Sequence, residues 1–380
     1  MSSLVARINA ELRGDRVIWA IIALMAIFSI LAVYSSTGTL AYRERGGNTE
    51  AFLFKHLVIL SVGLMMTYVC HLLHYMKYSR WAPILFLIAI PLLFYTLTLG
   101  AEINEGKRWV MIPYVGITFQ TSDFAKLALI IYVARAISSK QDYIKDFNSA
   151  FLPIIVPVLL ICGLIAPANL STALLLFMAC VGMMFIGRVS IRYILLLLML
   201  GLVVFAILIF IGQAFPNIVR VDTWTSRVQE FMYGEDGGYQ SLQAKIAIAN
   251  GEWFGLGPGN SIQRNFLPSP YSDFIYSIIC EEYGIFGGGM VILLYVLFFF
   301  RITRLVTKSP KAFGAILAMG LGIMLVMQAL VNIAVAVNLV PVTGVTMPMI
   351  SMGGTSMLFT CIAFGIILSV SKYIESVATE

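Results

Sequence analysis

Long apolar runs separated by short polar connections make up most of the chain, without the two-residue alternation of half-buried strands. Ten runs are long enough, or nearly so, to cross a hydrocarbon core about 30 Å thick at about 1.5 Å per residue. They cover 17–36, 53–73, 81–100, 122–137, 151–167, 170–187, 192–214, 272–300, 313–337 and 350–372. The fourth is short and contains Asp123 and Lys126, so it should tilt or sit buried among its neighbours. Tyr193 to Phe210 is apolar almost throughout, which excludes an outer-membrane barrel of alternating strands. The first run is read as a span rather than a cleaved signal, because it lacks a small-x-small site and more spans follow. The pattern predicts an all-α polytopic membrane protein, one integral membrane domain over 1–380.

Composition agrees. Hydrophobic residues make up 60% and charged residues 12%, with a mean hydropathy of +0.91, against roughly 45–50% and about 25% in soluble domains. The excess is spread along the chain, which excludes a soluble enzyme with one anchor, a secreted disulfide scaffold and a disordered regulator. Cys70, Cys162, Cys180, Cys280 and Cys361 all lie inside apolar runs with no CxxC, so neither disulfides nor zinc are expected. His56, His71 and His74 cluster near one apolar segment, and a metal site built from them is not expected.

The net charge of +6 follows from topology and implies no nucleic acid. An even number of spans puts both termini on one side. The connections on that side carry basic staples (Lys77 and Arg80, Lys140 and Lys145, Arg188 and Arg192, Arg301 to Lys311). With Arg7, Arg13, Arg16, Arg135 and Lys372 the cations of that side outnumber those of the other about two to one, which marks it as cytoplasmic. The longest connection, about 215 to 271, then faces outward.

That outer loop holds Trp224, Arg227, Glu230, Tyr239, Lys245, Trp253 and the turn Gly255-Leu256-Gly257-Pro258-Gly259. Loops above about 12–15 residues are usually functional or disordered, and the aromatics here argue for order. The turn is not a Walker motif, since no Gly-Lys-Ser/Thr follows. Where the loop meets the eighth span, Pro268 and Pro270 stop it and Ser272 is a candidate N-cap, which would put Asp273 in the first helical turn. Such a carboxylate either complements the positive end of a helix or acts as a general base at the water boundary.

Further along the same run, Glu281 and Glu282 are costly in an apolar setting and need a partner or a cavity. Lys126 or Lys55 could supply one, so Lys55, Asp123, Lys126, Glu281 and Glu282 form a candidate structural charge network, or a proton-coupled transport path. Asp273 and Glu281 are eight residues apart, about 12 Å along a helix, too far for a glycosidase pair. Before the fourth span, Lys107 and Arg108 could clamp a diphosphate, with Trp109 either beside it or in an interfacial belt. Arg227, Lys245 and Arg264 add positive charge to the same side. Pro341 to Ser356 carries prolines and glycines at membrane depth, where broken backbone must line a cavity or be buried in protein. Having no ionisable group, it should shape the site rather than react.

Four motifs, in order along the chain, now carry a resemblance. They are Gly106-Lys-Arg-Trp, Trp253-Phe-Gly-Leu-Gly-Pro-Gly-Asn-Ser-Ile-Gln-Arg, Leu267-Pro268 with Asp273-Phe-Ile-Tyr-Ser-Ile-Ile-Cys-Glu-Glu-Tyr-Gly, and Gly344-Val-Thr-Met-Pro-Met-Ile-Ser-Met-Gly-Gly-Thr-Ser. Together they resemble the SEDS family, the shape, elongation, division and sporulation proteins FtsW and RodA. The stretch Gly259 to Arg264 looks more like the division branch. The resemblance implies a peptidoglycan glycosyltransferase in the bacterial cytoplasmic membrane that polymerises lipid II on undecaprenyl diphosphate. It implies a class B penicillin-binding protein as transpeptidase partner, among other divisome membrane proteins. It also implies Asp273 as the base that deprotonates the acceptor GlcNAc 4-hydroxyl, in a transfer that inverts the anomeric centre. Cationic help for the diphosphate would come from the Lys107 and Arg108 region or from a divalent metal such as Mg or Mn. Ser261, within the second motif, joins Lys107, Arg108, Trp109, Arg227, Lys245 and Arg264 as a candidate substrate contact. No organic cofactor is expected.

Three departures stand out. Gln120-Thr-Ser-Asp123 replaces the family's Gln-Pro-Ser-Glu, Ala168-Asn-Leu-Ser-Thr172 lacks its acid, and Ser269-Pro-Tyr-Ser272 replaces Glu-x-His-Thr. The rival readings are a lipid II flippase that uses the intramembrane charges and a non-catalytic divisome scaffold.

Overall fold

The computed structural model describes residues 14–38, 40, 49–103, 106–111, 118–214, 221–234 and 238–379. Each apolar run forms a helix: α1 (Arg16–Ser36), α2 (Thr49–Leu72), α3 (Met76–Leu99), α4 (Thr121–Ser138), α5 (Leu152–Ile165), α6 (Leu170–Ile186) and α7 (Ile191–Ala214). The long connection follows as α8 (Val221–Tyr233) and α9 (Tyr239–Gly251), and the bundle closes with α10 (Ile275–Thr307), α11 (Ala312–Ala336) and α12 (Thr355–Thr379). Seven of the described helices are long and apolar enough to cross a membrane. Leu170–Ile186 and Ile191–Val204 are shorter apolar helices, and α4 carries Asp123, Lys126 and Arg135. The protein is a multi-pass helical membrane protein, because in hydrocarbon only a helix satisfies its own backbone within one segment.

Among the described residues one feature departs from all-helix. The stretch before α4, read from sequence as a loop, is an antiparallel sheet of β1 (Ala101–Ile103), β2 (Gly106–Met111) and β3 (Thr118–Gln120), with β2 in the middle. Trp109 on β2 pairs with Ala101 and with Gln120. Gln120 N donates to Thr355 Oγ1 at 3.2 Å, which ties the sheet to the start of α12.

The most enclosed helices are α11 and α12. The first packs on α10, α4 and α6, and the second lies along α2, where Thr67 Oγ1 donates to the Cys361 carbonyl at 2.9 Å. At the end holding the N-terminus, Asp15 caps α1 by accepting from Val17 N and Ile18 N and also takes Arg301 Nε at 2.9 Å.

α10 covers 33 residues but is broken at Gly284, whose φ of +66° and ψ of −167° are not helical. The part after the break, 285–307, is by itself long enough to cross, since a crossing needs about 20 residues, and the part before it is a short separate helix. Every residue from Ile275 to Glu282 is buried there, under α9 and the 251–270 segment. Beyond Gly284, by contrast, Ile285, Phe286, Leu293, Val296 and Phe300 are exposed, as on a lipid-facing helix.

Candidate active site

The eighth run begins as a helix at Ile275, three residues later than its apolar pattern suggested, so Asp273 precedes the first helical turn. The reason lies in the carbonyls just before it. Tyr271 O accepts from Met352 N at 2.9 Å, Ser272 O from Ser351 Oγ at 2.7 Å, and Asp273 O from Asn332 Nδ2 at 2.8 Å. These acceptors are engaged by tertiary partners. Phe274 O is the first of them bonded to helical amides, those of Ser277 and Ile278. Ser272 does not cap the helix; its hydroxyl donates to Asp273 Oδ1 at 2.8 Å.

Asp273 is half-buried. Across from it lies Gly344, whose φ of +67° belongs to the left-handed region and at which a Cβ would stand 3.6 Å from Asp273 Oδ2. Gly344 is part of the 341–354 segment. The last helix starts at Thr355 rather than 350, because Met349 and Gly354 both have positive φ and Pro348 lies within the turn that Ile350 N closes on Met347 O. The segment packs against the Asp273 turn, and Arg227 Nη1 of α8 donates to Val342 O at 3.1 Å.

The other candidate residues divide into separate places. Trp109 is half-buried on β2, and the side chains of Lys107 and Arg108 lie outside the described residues. Lys245 is half-buried on α9. Ser261 and Arg264 belong to a different cluster from the one expected for them. Ser261 is buried and its hydroxyl donates to Glu281 Oε2, while Arg264 Nη1 donates to Ser35 O at 3.0 Å. Ser261 is therefore a loop anchor and is withdrawn from the substrate contacts.

Nor do the five charges form one network. Lys126 Nζ meets Asp123 Oδ1 at 2.7 Å within α4, beside a cavity of about 30 Å³ lined also by Gln328, Ser356 and Thr360. Lys55 is exposed on α2. Glu281 accepts from Ile262 N at 3.2 Å and Gln263 N at 3.2 Å, and Glu282 accepts from the Ser35 hydroxyl and from Ser261 N at 3.4 Å. Neither glutamate takes the lysine partner expected for it. The Gly-rich turn is part of this staple: Leu256 N donates to Glu281 O at 2.9 Å and Gly257 N to Glu282 O at 3.0 Å. Gly255 has φ +81° and Gly284 φ +66°, and a Cβ at either would collide with backbone of the other strand of the staple.

A family model described as cell cycle protein, covering FtsW, RodA and SpoVE, matches residues 15–376. The chain belongs to the FtsW/RodA/SpoVE family. A probable peptidoglycan glycosyltransferase FtsW of Nitrosococcus halophilus is 31% identical over 92% of this chain and 90% of its own. Stage V sporulation protein E of Bacillus subtilis is 29% identical over 94% and 97%. The fold matches a chain from work on the structural coordination of polymerization and crosslinking by a peptidoglycan synthase complex, with a TM-score of 0.72 at 23% identity over 95% of this chain and 98% of that one. It also matches the rod shape determining protein RodA of Thermus thermophilus, with a TM-score of 0.68 at 22% identity over 94% and 96%.

In this FtsW/RodA/SpoVE chain the residues on the Asp273 turn that sequence reasoning passed over are Asn332, bonded to Asp273 O, and, as an individual contact, Ser351, bonded to Ser272 O. A carboxamide inside the apolar run 313–337 was the available signal for Asn332, since polar groups at that depth need a stated partner. Among the described residues no three His, Cys, Asp or Glu side chains come together as a metal-binding group.

Proposed function

We propose that this protein is a peptidoglycan glycosyltransferase that polymerises lipid II into glycan strands during cell division, at the outer face of the bacterial cytoplasmic membrane. Both termini are then cytoplasmic, and a class B penicillin-binding protein is the transpeptidase partner. Membership of the family and the names of its relatives support the activity. One observation carries the assignment of the base: Asp273 is a half-exposed carboxylate held through its own peptide, beside a residue with no side chain.

In the reaction, Asp273 takes the proton of the acceptor GlcNAc 4-hydroxyl as that oxygen attacks the donor anomeric carbon from the face opposite the diphosphate. The bond from that carbon to the diphosphate oxygen breaks, undecaprenyl diphosphate leaves with the electron pair, and the configuration inverts. A diphosphate leaves as a stable anion and needs no general acid. One carboxylate is therefore enough, in contrast to the paired acids of glycosidases. Lys107, Arg108, Arg227 and Lys245 are the cations proposed to steady the diphosphate. Where a Mg or Mn ion assists, the substrate phosphates and water would hold it, since Asp273 is engaged as the base and the described residues bring no three His, Cys, Asp or Glu side chains together, and it would supply charge neutralisation on the leaving group.

The test is glycan polymerisation from lipid II by the full-length protein with its class B transpeptidase. Asp273→Asn and Asp273→Ala are expected to fold like wild type and to lose about 100-fold or more in rate. Polymerisation by both variants at the wild-type rate would overturn the base, and movement of lipid II across vesicles without polymerisation by wild type would replace the transferase reading with transport.

A further inference from the structure

Asn332 is almost fully buried, at 1% exposure, on α11. Its Nδ2 donates to two carbonyls, Asp273 O at 2.8 Å and Val345 O at 2.8 Å. Both neighbours are acceptors, so the amide nitrogen must face them, and the orientation of the carboxamide is fixed by its surroundings. Ser351 makes a second connection between the same two stretches. Its hydroxyl donates to Ser272 O at 2.7 Å and accepts from Met347 N at 2.9 Å.

The 341–354 segment is itself braced from behind. The Tyr295 hydroxyl of α10 donates to Pro348 O. Ser29 Oγ of α1 donates to Ile350 O at 2.9 Å and lies 2.9 Å from His56 Nε2 of α2. With its hydroxyl proton on Ile350 O, Ser29 is an acceptor toward the imidazole, which makes His56 Nε2 the donor. The peptide bearing Asp273 is thus referred to four helices, α1, α2, α10 and α11, through one short segment.

We infer that Asn332 and Ser351 are positioning residues for the transfer reaction, a two-point clamp that holds the Ser272–Asp273 carbonyls out of the α10 ladder and so sets where the Asp273 carboxylate points. Without the clamp those carbonyls are free to accept from the amides of the first helical turn, which would draw Asp273 into α10. A shift on the order of 1 Å in a reacting group can cost about 100-fold in rate. The inference rests on the reading of Asp273 as the base.

The test measures lipid II polymerisation by the full-length protein with its transpeptidase for Asn332→Ala, Ser351→Ala and Ser351→Thr, with Asp273→Asn in the same series. Rates are expressed per folded protein, and thermal melting is recorded for each variant. The clamp predicts that both alanine variants lose about tenfold or more in kcat while KM for lipid II stays within about twofold, because the lost contacts serve orientation and not substrate binding. Ser351→Thr keeps the hydroxyl and should recover to within about threefold of wild type. Alanine variants as fast as wild type overturn the clamp. So does a loss of rate that tracks a loss of melting temperature and is not recovered by Ser351→Thr, which would mark a structural role alone. If Asp273→Asn is itself fully active, the base reading fails first and the clamp falls with it. If Asp273→Asn is inactive while the alanine variants are normal, only the clamp fails.

Discussion

Asp123 on α4 and the Glu281–Glu282 pair on α10 are buried to the same degree, 3%, 0% and 1% exposed, yet they find different partners, and Asp123 Oδ2 and Glu282 Oε2 are left without a hydrogen bond among the described residues. Asp123 is met by a lysine one turn away on its own helix. Glu281 and Glu282 are met by the backbone amides of residues 261–263 and by the hydroxyls of Ser35 and Ser261, with the charge of Arg264 close enough to act on Glu282. The ion pair neutralises charge inside the bundle and ties few elements together. The glutamates use their lone pairs as attachment points and fasten a long loop to the head of α10 and to α1. A buried carboxylate is thus a cost to be cancelled in one place and a fastener in the other.

The difference is sharpest where the partner is removed. Lys126→Met would leave Asp123 unpaired in the enclosed helix α4, a loss of about 3–5 kcal/mol, whereas Asp123→Asn with Lys126→Met removes both charges and should fall within about 1 kcal/mol of wild type. Thermal melting of the purified protein checks both. A single variant as mild as the double would mean that Asp123 is held by something other than Lys126, and the contrast with the glutamates would collapse.

Glu281→Ala should cost the loop somewhat less, roughly 2–4 kcal/mol of local stability, since it takes the acceptor from the amides of Ile262 and Gln263 and from the Ser261 hydroxyl, a buried donor left unmade being worth about 1–3 kcal/mol. The lesion should also differ in kind. Losing the staple frees the 252–266 loop without opening the bundle, so limited proteolysis is expected to nick that loop while the melting temperature of the bundle moves little. Cooperative unfolding with no loop cleavage would show that the glutamates support the bundle as Lys126 does.

The same contrast explains what could be read from the sequence. All ten apolar runs became helices because a membrane leaves the backbone no other local solution. Asp123 and Lys126 are three residues apart, so their meeting follows from helix geometry alone. Glu281 and Glu282 are adjacent in sequence, but their partners come from residues 35 and 261–263, and nothing in the local pattern names them. Lys126 and Lys55 were then the obvious candidates, and the structure assigns neither. The late starts of α10 and α12 have the same origin. Hydropathy continues back to Ser272 and Ile350, but tertiary hydrogen bonds to Tyr271, Ser272 and Asp273, and the positive φ of Met349 and Gly354, hold those residues out of the helices. The motif around Asp273 was legible as residues; the groups that hold it, Asn332 above all, come from elsewhere in the chain.

The mildest change probes one attachment point of the staple. Ser261 Oγ donates to Glu281 Oε2 and accepts from Arg264 N at 3.2 Å, so Ser261→Ala removes two contacts while the amides of Ile262 and Gln263 remain on Glu281. A hydrogen bond to a charged group contributes about 1.5–3 kcal/mol and a neutral one about 1, but the surviving amides can tighten on the carboxylate, so a net loss of about 1–2 kcal/mol is expected. It should appear as faster hydrogen exchange confined to residues 256–266, with Ser261→Thr, which keeps the hydroxyl, close to wild type. Exchange that rises equally in α4 would mean that the loop and the bundle core open together, and that the two ways of burying an acid are energetically one unit.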